Sequence, residues 1–76
     1  MESEIMDILL DLKPGEVYSD SEAFIDDGLL DSFDVISLVS ILEEKYGIAI
    51  DGLEIIPDNF QTIETIIQLV NKSPKA

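Results

Sequence analysis

Between Asp31 and Gly47 the chain carries the start and stop signals of a single helix. Asp31 is a good N-cap, and Asp34 falls at N3, where a carboxylate meets unpaired N–H groups and the positive end of the helix dipole. Lys45 lies in the last turn, and Gly47 follows where a left-handed residue closes a helix. The spacing predicts a helix over about 32–46, roughly 22 Å long. Val35, Leu38, Val39, Leu42 and Tyr46 fall within about 100° of one another and form its core stripe. Phe33 and Ile36 fall on the far side, among Ser37, Ser40, Glu43 and Glu44. Ser32 stands at the N-terminal end of that outward face. Ile41 belongs to neither face.

Two further segments repeat at helical spacing. Ile5, Ile8, Leu9 and Leu12 predict a helix over about 3–12, capped by Ser3 and stopped by Lys13-Pro14-Gly15. Ile63, Ile66, Ile67 and Val70 predict another over about 62–72, with Glu64 in its first turn and Lys72 in its last. Pro57-Asp58-Asn59-Phe60 suggests a short helix over about 55–60 with Phe60 inward. Residues 13–31 show no sustained period and read as a long loop pinned by Phe24, Ile25, Leu29 and Leu30, with a helical turn near Ser21 to Ile25. A loop of that length in a small domain tends to be functional. Ile48-Ala49-Ile50 is extended or turn-like and has no obvious partner strand. Ser73-Pro74-Lys75-Ala76 reads as a frayed tail. The expected fold is all-α, a four-helix bundle of three main helices and one short one, in a single domain spanning 1–76.

Composition removes several function classes. There are 17 acidic residues against 4 lysines, a net charge of −13. Nucleic acid and anionic membranes need basic surfaces, so neither is an expected partner, whereas basic protein surfaces are. A hydrophobic content of 46% is too high for a disordered acidic chain. With no Cys and no His, disulfides, most zinc sites and the common catalytic triads are excluded. Asp26-Asp27-Gly28 does not fit the spacing of a calcium loop. Glu43 and Glu44 point in neighbouring directions on a helix, not into one cleft, so paired-carboxylate hydrolysis is not expected. Ser32 has only acids nearby and no base to activate it. No catalytic or metal-ligating residue is therefore expected, and the acidic N-terminus and short apolar runs point to a cytoplasmic protein, expected to be a monomer.

A hydroxyl at a loop-to-helix junction, beside two outward apolar groups ringed by carboxylates, reads as an attachment point with a docking patch. Asp31-Ser32-Phe33, the preceding Gly28-Leu29-Leu30 and the acidic amphipathic helix that follows resemble an acyl carrier protein. The resemblance extends over nearly the whole chain. It implies a four-helix bundle with a 4′-phosphopantetheine arm joined to Ser32, carrying an acyl or aminoacyl group as a thioester. The arm brings its own thiol, so the lack of Cys is no obstacle. The implied partners are a phosphopantetheinyl transferase, which uses coenzyme A and Mg²⁺, and loading and downstream enzymes with basic patches. Carried over by position, the implied docking residues are Asp31, Phe33, Asp34, Ile36, Glu43 and Glu44.

The usual family motif is Asp-Ser-Leu, and Phe33 here replaces Leu. Ser37 and Ser40 stand where carriers of fatty acid biosynthesis usually have an acid and a Met or similar apolar group. The Leu-Leu-Asp-Ser-Phe run also resembles D-alanyl and other free-standing aminoacyl carriers, so lipid metabolism and aminoacyl transfer both stay open. Val35, Leu38, Tyr46, Ile55, Ile56, Phe60 and Ile63 either line a space for cargo or fill it. The main rival is an unmodified acidic helical module that binds a basic partner through the same face; a second is an acidic inhibitor or nucleic-acid mimic that does not depend on Ser32.

Overall fold

The computed structural model describes residues 1–18 and 22–76. Among them are three α-helices: α1 (Glu2–Leu12), α2 (Ser32–Tyr46) and α3 (Ile63–Lys72). The short helix expected over 55–60 is instead two 3-10 turns, Gly52–Glu54 and Pro57–Phe60. Pro57 at the start of the second denies the segment an N–H where a longer helix would need one. Phe60 is fully buried, as its inward assignment required.

Local chemistry accounts for each helix end. Asp31 accepts the Asp34 N–H while the Asp34 side chain accepts the Asp31 N–H, a reciprocal capping box at the start of α2. Gly47 closes α2 at φ 62°, and the N–H groups of Gly47 and Ile48 both donate to the Glu43 carbonyl. Thr62 and Thr65 form the corresponding box on α3. The expected cap of α1 is displaced: Met1, not Ser3, holds the N-cap position, with no side-chain bond. Its first-turn carboxylates Glu2 and Glu4 favour that end through the dipole.

The core lies where the three helices meet. α1 packs on both α2 and α3. It contributes Ile5, Ile8 and Leu9; α2 contributes Val35, Leu38, Val39 and Leu42; α3 contributes Ile66, Leu69 and Val70. Tyr46 sits at the margin, half-buried, and its hydroxyl donates to Glu4 Oε1 at 3.2 Å. Ile41 packs against the edge of the core.

The described part of the loop before α2 is anchored to the core. Phe24 and Leu30 are buried, with Ile25 and Leu29 partly so. The N–H groups of Asp27 and Leu29 donate to Ala23 and Phe24 carbonyls, which closes a helical turn at this point. The expected turn began at Ser21, which lies outside the described residues. Gln61 ties the loop to the approach to α3: its carbonyl accepts from Phe24 N–H at 2.8 Å and its side-chain oxygen from Ile25 N–H at 3.0 Å. The Tyr18 ring meets Phe24 edge-on at 5.2 Å, and its hydroxyl donates to the Leu9 carbonyl.

The tail is not frayed. Ile48 and Lys75 form an antiparallel bridge, Ala49 N–H donates to the Pro74 carbonyl at 2.8 Å, and Ala76 N–H donates to the Gly47 carbonyl at 3.0 Å. The extended 48–50 segment thus finds its partner in the last residues of the chain. Ile48 and Ile50 are buried beneath it.

Candidate functional site

Ser32 is the first residue of α2 and is exposed. Among the described residues its hydroxyl has no hydrogen-bond partner. The capping box explains the placement. Asp31 and Asp34 bond each other's backbone and fix the first turn, and the two residues between them, Ser32 and Phe33, are both exposed.

Beside the hydroxyl runs an apolar groove of about 260 Å³, lined by Ile25, Ser32, Val35, Ile36, Ile55, Ile56 and Pro57. Val35 and Ile36 on α2 form one wall, and residues 55–57 between and at the start of the 3-10 turns form the other. Of the side chains expected to border a cargo space, Val35, Ile55 and Ile56 line this groove. Leu38 and Phe60 fill the core instead. Ile63 borders a separate depression with Glu2, Met6 and Phe24, and Tyr46 lines neither.

Among the exposed large apolar side chains, four lie on α2 and on the turns at residues 52–57: Phe33 at 77% exposure, Ile36 at 66%, Leu53 at 83% and Ile56 at 45%. Two of them, Ile36 and Ile56, line the groove. Phe33 and Ile36 carry the outward positions read from the helical period. Leu53 and Ile56 add to the patch beyond the helical period of α2. The available signal was an apolar residue set between Gly52 and Glu54 in a polar turn, where no core stripe required it.

The acids divide into two groups. Glu44 is exposed. Asp31 is exposed but occupied as the α2 cap, and the N–H bond from Asp34, with the Lys13 charge adding to it, holds its carboxyl below the usual range. Asp34 is half-buried; besides its cap bond it meets Lys13 Nζ at 3.2 Å. That partnership raises the Lys13 ammonium above its ordinary range, chiefly through the Asp34 bond. Glu43 is half-buried, and its Oε2 accepts from Ile50 N–H at 2.9 Å, at the end of α2 far from Ser32. The structure therefore brings Asp31, Phe33, Asp34 and Ile36 together around Ser32 and leaves Glu43 and Glu44 at the opposite end of the helix.

These features suit a tethered group better than a reaction centre. An exposed alcohol needs only an outside enzyme to modify it, and the adjoining groove gives an apolar chain somewhere to lie. The family model of the phosphopantetheine attachment site matches residues 4–70. The chain belongs to that family. Its members are non-catalytic carriers that bear 4′-phosphopantetheine covalently on a serine and work with a phosphopantetheinyl transferase and partner enzymes. No match was found among curated proteins or among solved structures. Among the described residues no helix is long and apolar enough to cross a membrane.

Proposed function

We propose that residues 1–76 form one carrier unit, that Ser32 bears the arm, and that the unit presents an acyl group to successive enzymes. The observation that carries this is the exposed Ser32 hydroxyl on the first turn of α2, at the mouth of an apolar groove. In the modification the Ser32 oxygen forms a bond to phosphorus as the pyrophosphate bond of coenzyme A breaks. The nucleotide leaves, and the hydroxyl proton passes to the transferase. The arm supplies a flexible tether and a thiol that holds the cargo as a thioester. The chain's residues then do the rest: Asp31 and Asp34 fix the origin of the tether, and Val35, Ile36, Ile55 and Ile56 offer an apolar resting surface. Confinement to the volume swept by the arm replaces free diffusion of the cargo.

The groove lining favours an apolar acyl cargo over a charged aminoacyl one, because a bare ammonium in that setting would lose its hydration without a partner. Phe33, Ile36, Leu53 and Ile56 support apolar contact with visiting enzymes, and the net charge of −13 supports fast steering to basic patches. The test is intact-mass measurement after incubation with coenzyme A, Mg²⁺ and a broad-specificity phosphopantetheinyl transferase. One phosphopantetheine is gained by the chain and none by Ser32→Ala. No gain by the unaltered chain, under conditions that modify a control carrier, favours the unmodified interaction module.

A further inference from the structure

The lysines of this chain are Lys13, Lys45, Lys72 and Lys75, and there is no arginine. Lys45 meets Glu4 at 3.9 Å and Lys72 pairs with Glu54, both away from Ser32. Lys13 alone of the basic side chains in the first 44 residues stands at the attachment end of α2. Its backbone is fixed as well as its charge. Lys13 caps α1, and its N–H donates to the Leu9 carbonyl at 2.9 Å. From that anchor its ammonium reaches Asp34 Oδ2 at 3.2 Å, the same oxygen that accepts the Asp31 N–H at 3.1 Å. The chain Lys13–Asp34–Asp31 therefore links the end of α1 to the capping pair at the start of α2, where Ser32 sits. The Asp34 side chain is 17% exposed, and the Lys13 side chain, at 34%, keeps about a third of its surface in solvent.

The electrostatics give this link a role. A phosphodiester on Ser32 adds a negative charge beside two carboxylates, and like charges that close are repulsive even through water. The N–H groups of the first turn offset only part of it, because Asp31 already takes that of Asp34. We propose that Lys13 is the positioning residue of the attachment end: it holds Asp34 in the capping box and supplies the counter-charge that lets a phosphodiester sit on Ser32 between two acids. This inference rests on the reading of Ser32 as the modified residue.

The test uses the full chain, Lys13→Gln and Lys13→Arg, each melted before and after modification, with the modification state read by intact mass. In low salt, Lys13→Gln is expected to melt a few °C below the unaltered chain when unmodified, and further below it when modified. Lys13→Arg restores both values. At about 0.5 M NaCl the additional loss in the modified form shrinks, because the Debye length falls to a few Å. An equal loss in both forms, a difference that ignores salt, or an arginine variant that behaves like glutamine overturns the counter-charge role. No mass gain by the unaltered chain overturns the reading of Ser32, and this inference with it; a normal mass gain with equal losses overturns this inference alone.

Discussion

Two leucines near the attachment serine should respond to truncation in opposite ways. Leu30, two residues before Ser32, is 1% exposed and pins the loop to the core. Leu53, in the turn beside the groove, is 83% exposed. Removing the Leu30 side chain to Ala forfeits its transfer free energy and leaves a cavity, together about 2–5 kcal/mol. A chain of this size holds roughly 4–11 kcal/mol at 0.05–0.15 kcal/mol per residue. Leu30→Ala therefore consumes a large share of the total and should lower Tm by roughly 10–25 °C. Leu53→Ala should change stability by no more than about 0.5 kcal/mol. In modification or cargo-transfer assays below the Tm of both variants, Leu53→Ala should slow partner reactions by raising KM while the fold stays intact. Thermal and urea unfolding of the two variants, followed by steady-state kinetics, checks both halves. Similar melting losses for the two variants would refute the assignment of one leucine to the core and the other to the surface. Unchanged kinetics in Leu53→Ala would remove Leu53 from the docking surface.

Added NaCl or Mg²⁺ should raise Tm, because screening relieves the self-repulsion of a chain at −13; a flat or falling titration contradicts this. The Asp31 carboxyl is depressed in the folded state, so its contribution is present above its unfolded value near 4 and is lost as pH falls through the folded value. Acid unfolding below about pH 4 should therefore be shallower in Asp31→Asn than in the unaltered chain, as followed by circular dichroism. Deleting residues 74–76 removes the Ala49 and Ala76 bonds to the partner segment and should cost about 1–2 kcal/mol in urea unfolding; no loss would mean the bridge contributes nothing in solution.

The helices were legible because their signals are local. Asp31, Asp34 and Gly47 announce α2 in the sequence, and the structure uses them as a capping box and a left-handed stop. Period alone separated Leu38 and Leu42 from Phe33 and Ile36, since burial on one helix depends on angle and little else. The long-range features were not legible. Nothing near Gln61 announces that its side chain will meet Ile25 N–H, and nothing near Pro74 announces that it will pair with Ala49. Such bonds join segments far apart in sequence, and their residues carry no periodic signature. The roles of Lys13 and Glu43 escaped for the same reason: a charged residue looks solvated until the structure shows which distant group it meets. The turn residues of 55–60 suggest a helix, but Pro57 limits the segment to a short 3-10 turn.

The walls beside Ser32 differ in stiffness. The α2 side is clamped at both ends, by the reciprocal acid pair at its start and by the Gly47 stop, which the chain terminus reinforces. The opposing side is a few residues between and within tight turns, whose hydrogen bonds are less well aligned than those of an α-helix. Any widening of the space between them falls on the softer side, so the upper size of what can nestle there is governed by Ile55, Ile56 and Pro57 and not by the long helix.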